Sequence, residues 1–347
     1  MRRNPFAAAL IVLGSIPACA GHPTDPGSAS GLPSISPEEA GFSSLRLRTA
    51  REHYNRIGSA AFLALYDGKV FVSWGEVDRE YWLHSIRKPL LGALYGIAVA
   101  RGQIDTSATL ADLGIDDIPP SLTPEEKQAR VVDLLKSQSG VYHLAAAETE
   151  DMAAERPARG SHPPGTFHYY NNWDFNVLGT IYEHQTGTGI FEAFKREIAD
   201  PIGMVDFEVA DGSYEYESGK SLHPAYGFRM TARDLARFGV LFQQNGAWGG
   251  QQFIPPSWIA ASWTPYAVHD SALGLGFGLM WGTISAESPL GVGPAYLFAG
   301  LGVHYLVIVP RYKLVLVHRV DTDRPWSITS EQAGELLRLV VAARVSN

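Results

Sequence analysis

Cysteine is almost absent. One residue, Cys19, stands in 347, so no intrachain disulfide can form and the fold must rest on its core. Lysine is scarce as well, with seven in the chain, and 36 acidic residues against 28 basic ones give a formal charge of −8. That sign speaks against nucleic acid as a partner, because the phosphate backbone selects basic surfaces. After the N-terminal residues no run of eighteen apolar residues occurs, which argues against a membrane-spanning helix. There is no His-Glu-x-x-His and no Cys/His cluster, so neither a metal nor a cofactor is expected. What remains is a chain that is 46% hydrophobic and 18% charged. Such a composition builds one large domain or two lobes, not a disordered or coiled-coil protein.

The first nineteen residues read as an export signal: Arg2 and Arg3, an apolar stretch over residues 6 to 16, then small residues. Ile16-Pro17-Ala18-Cys19 is similar to a bacterial lipoprotein box, although Pro17 fits it poorly, and Ala18-Cys19-Ala20 also fits an ordinary signal cleavage site. A single leftover cysteine in an exported chain favours lipidation at Cys19. The expected location is therefore the bacterial periplasm or cell envelope, with a membrane tether through Cys19. Loss of Arg2 and Arg3 would leave a net charge of 26 − 36 = −10. Residues 20 to 37, rich in Pro, Gly and Ser, read as a flexible linker, and residues 38 to 347 as the folded domain.

Ser36-Pro37-Glu38-Glu39 is a capping-box signal with Ser36 as N-cap, and predicts a helix to about residue 57. Two β-prone runs, residues 60 to 66 and 69 to 74, flank Asp67-Gly68, a strong hairpin signal. Residues 89 to 100 are small and apolar, with Gly92 and Gly96 permitting close approach, as in a buried central helix. From about 104 to 270 helical segments predominate, over 124 to 137, 176 to 185, 190 to 199, 231 to 245 and 255 to 262. Short strands follow over 296 to 298, 305 to 309 and 314 to 319, and then an amphipathic helix over 330 to 343. Strands at both ends with helices between them predict an α+β fold: an antiparallel sheet of N- and C-terminal segments, flanked by helices and interrupted by a mainly α-helical insertion.

The chemistry gathers at Leu83-His84-Ser85-Ile86-Arg87-Lys88-Pro89. A serine three residues before a lysine, between a hairpin and a buried helix, places a candidate nucleophile beside a candidate proton acceptor on one helical face. Pro89 predicts a tight 3₁₀-like turn at Lys88, with the regular helix starting after it. Ser85 could otherwise serve only as a helix cap.

A second constellation is Pro164-Gly165-Thr166-Phe167-His168-Tyr169-Tyr170-Asn171-Asn172, with Leu178-Gly179 downstream. Here the chain resembles the serine hydrolases related to class C β-lactamases and penicillin-binding proteins, which combine Ser-x-x-Lys with a later Tyr-x-Asn. The spacing from Pro-Gly and to Leu-Gly selects Tyr170-Asn171-Asn172, with Tyr169-Tyr170-Asn171 as the alternative register. The resemblance extends over residues 36 to 345 and includes Ser36-Pro37-Glu38-Glu39-Ala40-Gly41-Phe42, Leu134-Leu135-Lys136-Ser137-Gln138-Ser139-Gly140 and Arg229-Met230-Thr231-Ala232-Arg233-Asp234-Leu235. It implies the β-lactamase/transpeptidase-like fold, acylation of Ser85 with Lys88 and Tyr170 as general acid and base, and a positioning role for Asn172. It also implies an oxyanion hole made by the Ser85 amide and a C-terminal strand edge.

At that edge the chain departs from the family. Lys-Thr-Gly or His-x-Gly is replaced by Phe298-Ala299-Gly300-Leu301-Gly302-Val303-His304, with no cation in the expected place. Gly300 and Gly302 are the substrate-binding candidates there, and His304 is the candidate substitute cation. The missing charge favours hydrolysis of a small-molecule ester or amide over a β-lactam. The alternative is a catalytically weak or inactive penicillin-binding-like envelope protein.

Overall fold

The computed structural model describes residues 31–345. The export signal, Cys19 and most of the linker lie outside those residues. Pro33 to Ile35 run along one edge: the Val70 N–H donates to the Pro33 carbonyl at 2.8 Å, and the Ile35 N–H to the Val70 carbonyl at 3.0 Å.

The capping box at Ser36 forms, with the Ser36 hydroxyl and N–H both donating to Glu39, yet it closes only a single turn. Helix α1 (Ser44–Ile57) begins later, on Ser43, whose side chain accepts from the Arg46 N–H. The predicted start was early because Gly41, at φ 79°, redirects the chain between the two caps. Strands β1 (Ala61–Tyr66) and β2 (Lys69–Gly75) then pair across Asp67-Gly68 as read from the sequence. Strand β3 (Tyr81–Trp82) leads to a 3₁₀ turn (His84–Ile86) and to helix α2 (Arg87–Ala100).

The following region holds α3 (Val131–Leu135), α4 (Glu150–Glu155), α5 (Asn172–Thr186) and α6 (Ile190–Phe194). After it come β4 (Gly212–Glu215), β5 (Ala225–Met230), α7 (Ala232–Gln243), β6 (Ala247–Trp248), β7 (Gln251–Gln252) and α8 (Pro256–Ser262). This stretch is less helical than its composition suggests: it contains β4 and β5, which with the earlier β3 form a separate three-stranded sheet.

The C-terminal part contributes β8 (Ala267–Asp270), β9 (Leu275–Phe277), β10 (Gly282–Ile284), β11 (Ala295–Gly300), β12 (His304–Val309), β13 (Leu314–Arg319) and α9 (Ser330–Ala342). The main sheet has the order β2-β1-β13-β12-β11-β10-β9-β8. Its N- and C-terminal portions meet where β1 pairs antiparallel with β13, Ala61 opposite Arg319 and Tyr66 opposite Leu314. This is the expected α+β, β-lactamase/transpeptidase-like arrangement.

Strand alternation divides the interior between the two faces of the sheet. Phe62, Ala64, Leu314 and Leu316 turn toward α1 and α9, which add Leu47, Ala50, Leu336 and Val340. Leu63, Leu65, Val315 and Val317 turn toward the larger core with α2, α5 and α7. Helix α2 is buried along nearly its whole length. It approaches α8 so closely that a Cβ on Gly96 would lie 2.5 Å from Trp258. Among the described residues no helix is long and apolar enough to cross a membrane.

Candidate active site

Ser85 is the middle residue of the 3₁₀ turn between β3 and α2. His84, just before it, has φ 48°, a left-handed conformation that a residue with a Cβ adopts only when its surroundings hold it there. Four neighbours do so. The His84 ring stands 2.9 Å from the Thr322 hydroxyl and leans on His304, with ring centres 5.4 Å apart. Gly300 of β11 sits so close that a Cβ there would be 2.5 Å from the Leu83 carbonyl oxygen and 3.3 Å from the His84 Cβ. Arg319, wholly buried, donates from Nη2 to the carbonyls of Tyr81 and Trp82 at 2.9 Å each.

The expected 3₁₀ geometry at Lys88 occurs instead at residues 84 to 86, and Lys88 is already in α2. Pro89 is tolerated because the first N–H groups of a helix have no intrahelical acceptor. Lys88 is wholly buried, and its Nζ donates to Ser85 Oγ at 2.9 Å. It lies 4.7 Å from the centre of the Tyr170 ring and 4.8 Å from that of Phe175. Burial, and secondarily the charge of Arg87, hold its amine well below the ordinary lysine range. A neutral amine at this distance can take the serine proton.

Tyr170 meets the same pair. Burial pushes its phenol above the usual range, against hydrogen bonding with Ser85 and the charge of Arg87, so the hydroxyl keeps its proton. Tyr169 points elsewhere, donating to the Met152 carbonyl at 2.5 Å, so the structure brings Tyr170 and not its neighbour to Ser85 and Lys88. Asn171 caps α5 through the Trp173 N–H and donates to the Val141 carbonyl at 2.7 Å and to Asp174 at 2.9 Å. Asn172 is buried; its Nδ2 donates to the Ala147 carbonyl at 2.6 Å, and its Oδ1 has no partner.

Beside Ser85 and Tyr170 opens a cavity of about 260 Å³ walled by His269, Leu275, Phe277, Thr283, Leu297, Phe298 and Ala299, with Gly276 and Gly282. None of these lining residues is Lys, Arg, Asp or Glu. Strand β10 pairs with β11 only from Ala295 to Leu297, so the β11 backbone from Phe298 to Gly300 is released from β10 beside the Ser85 turn.

Two strand-edge residues lie away from the cavity. Gly302, at φ 79°, packs in the β11–β12 turn against Thr322. His304 has no exposed surface and accepts at Nδ1 from Arg319 Nε at 3.1 Å. Burial and then the charge of Arg319 hold its imidazole well below the ordinary histidine range. The expectation that His304 replaces the missing cation is therefore corrected: it is a neutral prop under His84.

His269, Phe277 and Thr283 escaped the sequence reading. They belong to strands of three or four residues, too short to show alternation, and the aromatic and glycine content of residues 274 to 283 was the only signal. Among the described residues no group of three or more His, Cys, Asp or Glu gathers as metal ligands.

A family model described as β-lactamase matches residues 47–327. The 6-aminohexanoate-dimer hydrolase of Paenarthrobacter ureafaciens is 22% identical over 240 residues, 62% of this chain and 59% of that protein. A β-lactamase of Escherichia coli K12 is 23% identical over 218 residues, 53% of this chain and 56% of that protein. The chain thus spans somewhat under three fifths of the length of these curated relatives. The crystal structure of a family VIII carboxylesterase superposes with a TM-score of 0.63 at 17% identity, covering 86% of this chain and 97% of that one, a likeness of fold.

Proposed function

The chain belongs to the β-lactamase family, and we propose that it is a serine hydrolase cleaving a small, uncharged ester or amide through an acyl-enzyme on Ser85. The observation that carries this is the 2.9 Å contact between Ser85 Oγ and a wholly buried Lys88. Lys88 takes the Oγ proton as Oγ bonds to the substrate carbonyl carbon, and the carbonyl electrons move onto oxygen. The Ser85 N–H and an N–H of the released β11 edge stabilise that oxyanion. When the tetrahedral intermediate collapses, the bond to the leaving group breaks, Tyr170 gives the leaving group its hydroxyl proton, and Lys88 returns a proton to Tyr170. Water then attacks the acyl carbon as the same pair takes its proton; the Oγ–acyl bond breaks, Oγ receives that proton from the pair, and the acid leaves with Ser85 restored.

The cavity wall supports an uncharged substrate: among the described residues that line it there is no Lys or Arg to hold the carboxylate of a β-lactam or a D-peptide, and His269 is its one imidazole. Similarity to a 6-aminohexanoate-dimer hydrolase and to a family VIII carboxylesterase agrees with hydrolysis, while the uncharged substrate rests on the cavity wall alone, because an aminohexanoate dimer carries a carboxylate of its own. Intact-mass measurement after exposure to a fluorophosphonate tests the reading. One adduct on the wild type and none on Ser85→Ala is expected; a folded wild type that stays unlabelled would overturn it. Export and a lipid at Cys19 belong to the same proposal and rest on residues 1 to 19 alone. A clickable fatty acid should label the wild type but not Cys19→Ala.

A further inference from the structure

Arg87 lies between nucleophile and base in sequence, yet the mechanism above gives it no step. Its guanidinium is buried, with Nη2 donating to Asn176 Oδ1 at 3.0 Å and the planar group 4.2 Å from the centre of the Tyr226 ring. Nη1 is buried without a partner. Asn176 is itself oriented by Nδ2, which donates to the Ala146 carbonyl at 3.0 Å, so its oxygen is presented to the arginine.

Burying an arginine against an amide oxygen and a ring face is an unusual choice, because neither neutralises it. A carboxylate would cancel the charge and an apolar residue would avoid the desolvation cost. Here the surroundings solvate the cation while leaving its field intact.

The groups facing this pair from the elements packed around α2 do not cancel it either. From α5 comes Asp174, whose carboxyl burial pushes well above the ordinary range and whose oxygens accept from Ser139 and Asn171. Strand β5 offers the Tyr226 phenol, the 168–171 segment Tyr170, and the nucleophile turn His84, whose imidazole burial lowers to about 4. Glu192 of α6 is exposed to solvent, where its charge is screened.

We infer that Arg87 is a charge-setting residue: its buried guanidinium, one residue from Lys88 in α2 and with Nη1 unpartnered, helps to keep the lysine amine neutral and eases ionisation of Tyr170, so that it positions the pH–rate profile. This rests on the reading of Ser85 as nucleophile and Lys88 as its base. A nearby cation disfavours the lysine ammonium and favours a tyrosinate, so removing it raises both pKa values. The acid limb, where Lys88 loses its proton, and the alkaline limb, where Tyr170 loses its own, should both move to higher pH.

The test follows kcat/KM for a neutral p-nitrophenyl ester, and the rate of fluorophosphonate labelling, against pH. It uses wild type, Arg87→Gln, Arg87→Lys and Asn176→Asp, the last of which neutralises the guanidinium without removing it. Arg87→Gln and Asn176→Asp should move the limbs upward by about one pH unit, a loss of about tenfold on the acid limb with the plateau within a few fold. Arg87→Lys should lie between them and wild type. A folded Arg87→Gln or Asn176→Asp whose rate falls equally at every pH, with limbs unmoved, would make Arg87 a packing residue and overturn the inference. Failure of the underlying reading is separate: it shows in wild type, as absence of a Ser85 adduct.

Discussion

Replacing Gly300 by alanine should leave the protein folded but poorly active. The added Cβ would stand 2.5 Å from the Leu83 carbonyl oxygen, where an ordinary carbon–oxygen contact needs about 3.3 Å. Strand and turn must therefore separate by about 0.8 Å. Both sides resist. Arg319 holds the strand leading into the turn through the Tyr81 and Trp82 carbonyls, and β11 is paired with β12 up to Gly300 opposite His304. Overpacking of this kind typically costs ~1–3 kcal/mol. The displacement falls between Ser85 and the strand edge assigned to the oxyanion, where an offset near 1 Å can lower turnover about 10²-fold. The assay is kcat and KM on a neutral ester alongside urea unfolding. Gly334→Ala is the control: it lies in α9 with nothing within 4 Å of an added Cβ, and should be as active as wild type and slightly more stable. A Gly300→Ala protein with wild-type kcat would refute the placement of the β11 edge in the reaction.

Lys88→Ala and Tyr170→Phe should each lower kcat/KM by about 10²-fold or more, whereas Tyr169→Phe should fall by less than about threefold, as steady-state kinetics on a p-nitrophenyl ester will show. The neutral ester should exceed its carboxylate-bearing analogue in kcat/KM by about tenfold or more, the worth of one missing charge-assisted hydrogen bond. Arg319→Met should reduce unfolding free energy by about 3 kcal/mol, because two buried carbonyls and His304 lose their donor, and urea titration measures it. His318, wholly buried between the Ser59 hydroxyl and the Val303 carbonyl, has its imidazole lowered by burial to about 4. Its unfolded form therefore binds a proton first as pH falls, so its contribution is full above about pH 6.5 and lost toward pH 4. That is about 2.5 kcal/mol between about pH 7 and pH 4.5, which a His318→Gln variant should lack in unfolding titrations at the two pH values.

The elements legible in the sequence were those that announce themselves locally. The Asp67-Gly68 hairpin, the buried helix after Ser85 and the strands around residues 305 to 319 need only turn chemistry or a run of apolar residues. The start of α1 was misplaced because two sound caps, Ser36 and Ser43, stand seven residues apart, and only the chain path through Gly41 decides between them. The strands β8 to β10 pair with near neighbours but are only three or four residues long, too short to show alternation, and β3, two residues long, takes its partner β5 from far along the chain, so no local window contains its cause.

The site divides along the same line. Ser85 and Lys88 are three residues apart, and their contact follows from helical geometry alone; Tyr170 arrives through an ordered motif. His304 was misjudged because sequence shows which residue follows a strand edge but not which face of it the side chain takes. With Arg319 beneath it, burial turns a candidate cation into a neutral prop. The same physics, acting on Lys88, turns a side chain that is ordinarily a cation into a candidate base. In both residues an arginine with no carboxylate partner assists burial: Arg319 beside His304 and Arg87 beside Lys88. Low dielectric strengthens a fixed charge and penalises a titratable one, so burial drives each group toward neutrality and the neighbouring arginine adds to it.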